Sequence, residues 1–84
     1  MAIYRVLYWQ EIPSQVKVED DDGDVTHPLP PRFLALIDRV AMERGLKNAD
    51  DYLAQWNWGE DTERDGTAAE VAEAVAAELE AQFP

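Results

Sequence analysis

The stretch Tyr8-Trp9-Gln10-Glu11-Ile12-Pro13-Ser14-Gln15-Val16 predicts the corner of a small β-sheet. It ends an apolar segment, passes through a proline and begins a segment of alternating apolar and polar residues. Pro13 cannot donate a hydrogen bond to a β-ladder and therefore suits a turn or an edge. We expect residues 10–14 to connect two strands, the second of which covers residues 15–20.

The segment before the corner predicts the first strand. Residues Ala2 to Trp9 are apolar at every position except Arg5, and most of them favour β-structure. Side chains of a strand alternate between two faces. The face without a charge is expected to pack against helices, and it consists of Ala2, Tyr4, Val6 and Tyr8.

The segment after the corner predicts two more strands. Val16 and Val18 share one face of the second strand, as the alternation of a half-buried strand requires. An acidic run follows, and its Asp22-Gly23 pair favours a tight hairpin turn because both residue types tolerate positive φ. A short third strand is expected over residues 24–27, limited by Pro28.

Three helices are expected in the rest of the chain. Pro31 suits a first helical position, and Gly45 suits the stop after the helix. The apolar stripe of this first helix comprises Phe33, Leu36, Ile37, Val40 and Ala41. Asn48 predicts the cap of a second helix that runs to about Trp58. After an acidic loop over residues 60–66, Thr67 and Glu70 form a capping-box pattern that begins an alanine-rich third helix.

These elements predict an α+β fold, with a small antiparallel β-meander of about three strands packed against about three helices. One domain over residues 1–84 is expected, with the meander in 1–28, two helices in 30–58 and the C-terminal helix in 66–83. A domain of this size buries only about 60% of its unfolded surface. Without cysteine to form disulfides, a second copy of the chain is one source of additional burial.

The charge of the chain excludes some classes of partner. Eighteen acidic residues against seven basic ones give a net charge of −11. Such a surface repels nucleic acid and anionic membranes. Its simplest role is solubility, and attraction of a basic protein partner is the alternative. No apolar run reaches the roughly 18 residues of a membrane span, and the first residues lack the pattern of a signal peptide. A cytoplasmic location is therefore expected.

The chain shows no complete motif for catalysis or for a cofactor, and none is expected. The nearest match is a calcium loop, in which Asp61, Glu63 and Asp65 occupy ligand positions 1, 3 and 5. Position 12 is Ala72 instead of the required glutamate, so this loop is half a site. A non-enzymatic protein-interaction module or accessory subunit is the leading hypothesis. The alternative is a small-ligand or weak calcium-binding protein, and an enzyme is third.

Aromatic residues supply the candidate partner surface. Trp56 and Trp58 stand two apart in the expected second helix, so at least one of them is expected to be partly exposed, as interface anchors are. Together with Trp9, Gln10 and Glu11 at the corner, they form the candidate surface for a partner protein. Packing in the core or against the hairpin is the other role expected of these aromatic residues.

Three motifs carry a family resemblance. They are the corner motif Tyr8 to Val16, the pattern Arg32-Phe33 followed by Ala35-Leu36-Ile37-Asp38-Arg39-Val40-Ala41-Met42, and Asp51-Tyr52-Leu53-Ala54-Gln55-Trp56. With these motifs the chain resembles a family of small bacterial proteins catalogued as virulence factors. Gln10 and Glu11 replace the Arg-Asp pair of the family pattern. The resemblance implies a compact scaffold and supplies no catalytic or cofactor residue.

Gln15 and Asp38 are the polar exceptions among the motif residues. Polar groups near a core are retained when they are hydrogen-bonded. We expect both side chains to bond the turn around Ile12-Pro13 and so to fix the sheet against the first helix. Contact with a partner is the alternative role.

Overall fold

The computed structural model describes residues 1–46 and 48–83, which form five strands and three helices. In chain order these are β1 (Ala2–Trp9), β2 (Ile12–Asp20), β3 (Gly23–Pro28), α1 (Pro31–Glu43), α2 (Ala49–Leu53), β4 (Trp56–Trp58), β5 (Thr62–Arg64) and α3 (Ala68–Gln82). All strands belong to one antiparallel sheet of order β3-β2-β1-β4, in which β5 also pairs with β1. The predicted α+β class is confirmed, with two more strands than expected.

The corner is a tighter hairpin than the sequence predicts. Trp9 pairs with Ile12, so the turn consists of Gln10 and Glu11 alone. Gln10 has a φ of +53°, a value that suits two-residue turns between strands. The expected connection over residues 10–14 is therefore wrong in its second half, because β2 already begins at Ile12.

Pro13 lies inside β2 at a β-bulge. Leu7 pairs with Gln15 but Tyr8 pairs with Pro13, so Ser14 is an extra residue on the bulged strand. A bulge is one of the few places where a strand tolerates a residue without an N–H donor. The proline thus marks an irregularity of the ladder instead of its end.

The turn between β2 and β3 lies one residue earlier than predicted. Asp20 pairs with Gly23, which leaves Asp21 and Asp22 as the turn residues. The Asp20 carboxylate accepts hydrogen bonds from the N–H groups of Asp22 (2.8 Å) and Gly23 (3.1 Å). This side-chain turn competes with the expected Asp22-Gly23 turn. Gly23, with a φ of +148°, instead begins β3.

Helix α1 agrees with its prediction at both ends. Pro31 is its first residue, and its buried side chains are Phe33, Ile37 and Ala41. Gly45 follows the helix with a φ of +71°. The N–H of Gly45 donates to Met42 O (3.3 Å) and that of Leu46 to Ala41 O (2.8 Å), which together form a Schellman motif.

The second helix is shorter than predicted. Asn48 caps it by accepting a hydrogen bond from the N–H of Asp50 (2.9 Å), as expected. The helix ends at Leu53, and Trp56 to Trp58 form β4 against the end of β1. The expected helical continuation to Trp58 is therefore wrong, because pairing with β1 overrides the local helical pattern.

The acidic segment over residues 60–66, expected as a loop, contains β5. This strand pairs with the first residues of β1, from Ala2 to Tyr4. Arg64 at its end forms a bidentate pair with Glu78 of α3 (2.7 and 3.1 Å). The segment therefore joins the sheet to the C-terminal helix.

Helix α3 covers one face of the sheet. The predicted capping box is present, with Thr67 Oγ1 accepting from the Glu70 N–H and Glu70 Oε1 accepting from the Thr67 N–H. The buried residues of α3 are Ala68, Val71, Ala72, Val75, Ala76 and Leu79. They join a core to which the strands contribute Ala2, Val6, Val16 and Val18. The small alanines let the helix backbone approach the sheet closely.

Asp20 connects the acidic turn to the start of α3. Its second carboxylate oxygen accepts a hydrogen bond from the Ala68 N–H (2.8 Å), across 48 residues of sequence. That N–H has no acceptor within the helix. Hydrogen bonds from Ala68, and then from Asp22, hold the pKa of the Asp20 carboxyl below its ordinary value of 3.8. The ionised form of Asp20 is therefore favoured by folding.

We predict that Asp20→Asn lowers the thermal unfolding midpoint at pH 7, because an amide NH₂ replaces an acceptor oxygen. A carboxyl with a lowered folded pKa stabilises the fold above its unfolded pKa and loses that effect as pH falls through the folded value. The difference from wild type should therefore narrow below about pH 3.8. Thermal unfolding followed by circular dichroism between pH 7 and pH 3 measures the difference in midpoint, with Asp21→Asn as the matched control. Equal midpoints at pH 7 would contradict this role.

Candidate functional site

The face of the sheet opposite α3 is uncovered over most of its area. Alternation along the strands and the pairing register place Trp9 and Trp56 on this face, at the corner where α2 packs over Trp9. The ten residues of its uncovered part are here called the open sheet face. They are Ile3, Arg5, Leu7, Gln15, Lys17, Glu19, Asp24, Thr26, Trp58 and Glu63. None of these residues is buried, whereas Val6, Val16 and Val18 between them are. The two faces of the same strands thus have opposite environments.

The open sheet face has an acidic end and an apolar end. At the acidic end, Ile3 pairs with both Glu19 and Glu63 on the neighbouring strands. At the apolar end, Leu7 pairs with Trp58, which is 47% exposed. The row between them carries the two basic residues Arg5 and Lys17.

Arg5 is at the centre of this face. Its guanidinium carbon lies 5.2 Å from the centroid of the Trp58 ring, in a cation–π contact. The same guanidinium is 3.8 Å from a carboxylate oxygen of Glu19 and 3.6 Å from one of Asp61. Arg5 was absent from the predicted site, although it is the one charge in an otherwise apolar strand, and that signal was available in the sequence.

Trp9 is a core residue and not part of a partner surface, because α2 packs over it. It is fully buried, and its indole N–H donates to the carbonyl oxygen of Tyr52 at 2.9 Å. The Trp9 and Tyr52 rings lie 5.5 Å apart, and Trp56 meets Tyr52 edge-on at 6.1 Å. Of the three tryptophans, Trp58 is therefore the exposed one, Trp56 is half-buried and Trp9 belongs to the interior.

Gln10 and Glu11 are tied to the end of α1 by Arg44. Arg44 donates to both carboxylate oxygens of Glu11, at 2.7 and 3.1 Å, and also to Gln10 Oε1. The amide of Gln10 donates to Gln55 Oε1 at 2.9 Å. Hydrogen bonds from Arg44 lower the pKa of Glu11, and Glu11 in turn raises the pKa of Arg44. The structure separates this pair, which holds the turn, from the open sheet face.

The two polar motif residues occupy different places. Gln15 is half-buried on the open sheet face, beside Leu7. Asp38 is exposed on α1 and accepts a long hydrogen bond from the Tyr52 hydroxyl (3.4 Å), so it links α1 to α2 instead of bonding the turn around Pro13. Burial raises the pKa of Tyr52, and the Asp38 charge raises it further.

The half-site for calcium is spread out by β5. Asp61 directly precedes β5, and Glu63 lies within it. Alternate residues of an extended chain lie about 6–7 Å apart, whereas each calcium–oxygen bond measures about 2.3–2.6 Å. Asp61 turns instead to Arg5. Within residues 1–46 and 48–83, no three His, Cys, Asp or Glu side chains are grouped closely enough to hold a metal ion. Over the same residues, no helix is long and apolar enough to cross a membrane.

The fold and its open sheet face define a small acidic α+β protein whose sheet is covered by α3 on one side. A sequence model of the family described as Virulence factor matches residues 7–84, from the end of β1 through α3. The chain belongs to this virulence factor family. The description names no reaction, ligand or partner. No curated protein and no solved structure matches the chain.

We predict that Trp9→Phe destabilises the protein by about 1–3 kcal/mol, because it leaves the Tyr52 carbonyl without its donor in the interior. Trp58→Phe, which keeps an aromatic ring at an exposed position, should change stability by less than about 0.5 kcal/mol. Urea unfolding followed by circular dichroism compares the two variants. Equal losses would show that Trp9 does not anchor the corner.

Proposed function

We propose that this chain is a non-enzymatic protein-interaction module, an accessory subunit whose partner binds the open sheet face. The observation that carries the proposal is the exposed Trp58 ring in contact with Arg5 on an otherwise uncovered sheet. Tryptophan and arginine are the residues most enriched among those that dominate binding energy at protein interfaces. Ile3, 43% exposed, adds apolar surface at the other end of the same face.

The Arg5 side chain is already ordered before a partner binds. Contacts with Trp58, Glu19 and Asp61 hold its guanidinium from three sides. Ordering a long side chain at an interface costs about 0.5–1.5 kcal/mol. A preformed Arg5–Trp58 pair avoids most of that cost, which favours this location over the mobile tips of exposed turns.

The charge at the end of the open sheet face away from Trp58 indicates the chemistry of the partner. The acidic end of the open sheet face carries Glu19, Asp24 and Glu63, and the whole chain has a net charge of −11. Complementary charge speeds association and selects against wrong partners. We therefore expect the partner surface to present an apolar side chain to Trp58 and Leu7, with lysine or arginine residues opposite the carboxylates.

The distribution of perturbed pKa values supports an interaction role more than a catalytic one. In the described part of the chain, the lowered pKa values of Glu11 and Glu78 have a structural cause, the bidentate arginines Arg44 and Arg64. The lowered pKa of Asp20 comes from its hydrogen bonds to the backbone. Catalytic groups typically combine such shifts with a cleft. The carboxyls of Glu11, Glu78 and Asp20 lie instead where one helix or strand contacts another.

We predict that Trp58→Ala weakens the complex with a purified partner about 30-fold or more, the loss expected of a dominant interface residue. Leu53→Ala, at an apolar residue of α2 that is 63% exposed against 47% for Trp58, is the matched control and should leave affinity unchanged. The partner is first recovered as a stoichiometric protein from extracts of cells that encode the chain. Isothermal titration calorimetry then compares the variants.

Charge reversal tests the chemistry of the partner. Glu19→Lys should weaken binding and flatten its dependence on salt, because it removes an attraction that ions screen. If no recovered protein depends on Trp58, or if Leu53→Ala and Trp58→Ala lower affinity equally, the open sheet face is not the binding site. A partner bound more tightly by Glu19→Lys would contradict the expected basic surface.

A further inference from the structure

Two arginines stand apart from the other three. Arg5, Arg44 and Arg64 each form ion pairs with carboxylates. Arg32 and Arg39 form none with any carboxylate in residues 1–46 and 48–83, although the chain has eighteen acidic residues and only seven basic ones. In so acidic a protein, two arginines without a carboxylate partner among the described residues are unexpected.

Both arginines line one groove between α1 and the end of α3. Seven residues separate them on the helix, which places them on the same side about 10 Å apart along the axis. The groove measures about 420 Å³, and its lining residues are Arg32, Phe33, Ala35, Leu36, Arg39 and Phe83. The rings of Phe33 and Phe83 meet edge-on at 6.0 Å and form an apolar wall. Positive charge and apolar surface therefore occur together in this groove.

The two arginines differ in what holds them. Arg32 donates to the carbonyl oxygens of Phe83 and Glu80 at the end of α3, and its guanidinium lies 4.7 Å from the ring centroid of Phe33. These contacts hold the Arg32 guanidinium between the end of α3 and the Phe33 ring. No hydrogen bond from the Arg39 side chain to the described residues is present, even though Glu43 lies one turn further along α1. The guanidinium N–H groups of Arg39 therefore have no acceptor among the described residues and can donate to a ligand.

We propose that this groove binds a small organic monocarboxylate with an apolar chain or ring. The planar guanidinium of Arg39 would take the carboxylate in a bidentate pair. The apolar group would lie against Leu36 and the Phe33–Phe83 wall. Ligand pockets of this kind have volumes of about 300–1,000 Å³, so a molecule of six to ten carbon atoms is suitable.

The net charge of −11 restricts the ligand to a single negative charge. A nucleotide or polyphosphate would gain from Arg32 and Arg39 but would be repelled by the net negative charge of the chain. A monocarboxylate suffers less repulsion and gains from apolar burial. The groove shares no residue with the open sheet face, so this site is independent of the proposed interaction function.

The experiment is a titration of the ¹⁵N-labelled protein with octanoate and 3-phenylpropanoate, followed by amide chemical shifts. The amide signals of α1 and Phe83 should move in a saturable way. Octanamide, which has the same chain without the charge, and acetate, which has the charge without the chain, should bind at least about tenfold more weakly. Shifts that are equal for octanoate and octanamide, or absent with both acids, would overturn the proposal.

Two variants and a control assign the site. Arg39→Gln should weaken octanoate binding about tenfold, and Ala35→Trp should abolish it by filling the groove. Lys17→Gln, which removes one positive charge on the open sheet face, should bind octanoate like wild type. Circular dichroism confirms that each variant is folded. Binding that survives Arg39→Gln unchanged would overturn the site.

The same titration separates the small acid from a protein segment of similar chemistry. A synthetic peptide in which two glutamates flank a pair of leucines serves as the probe. Peptide binding that is tighter than octanoate binding and equally sensitive to Arg39→Gln would overturn the assignment to a small molecule. Weaker peptide binding supports it.

Discussion

The buried indole of Trp9 is the contact on which the arrangement of the corner depends. Its N–H donates to the Tyr52 carbonyl, and this bond joins the first strand to a helix 43 residues later in the chain. A fully buried donor must be satisfied, so α2 has to lie where its backbone meets the ring. With α2 packed against Trp9, the residues that follow this helix lie beside the free edge of β1 and form β4. An exposed ion pair between Arg44 and Glu11 also links the corner to the end of α1.

The predictions that succeeded depend on signals within a few residues of each other. Helix α1 has Pro31 at its start, an apolar stripe and Gly45 at its end, and α3 has its capping box. The predictions that failed concern elements that exist through distant partners. Strands β4 and β5 are three residues each and are stable only as additions to β1. The shifted turn at Asp21 likewise depends on Asp20, which also binds α3.

The candidate site was foreseen in part for the same reason. Exposure of at least one of Trp56 and Trp58 was expected, but from a helical spacing that the structure does not contain. The sequence left Trp9 open to both core packing and the candidate partner surface, and only the position of α2 shows that it is buried. The contacts of Arg5 with Trp58 and Asp61 join residues that are distant in the sequence, so the sequence of β1 alone cannot predict them. Local pattern thus located the sheet, while the register decided which of its faces is open.

The central claim is that one face of the sheet is covered by α3 and the other by a partner protein. Hydroxyl-radical footprinting of the free chain and of its purified native complex measures this for each side chain. In the free chain, Trp58 and Ile3 should be oxidised readily and Trp9 hardly at all, as their exposures require. In the complex, Trp58 and Ile3 should be protected while Leu53 and Met42 continue to react. Unchanged oxidation of Trp58 in the complex would contradict the account.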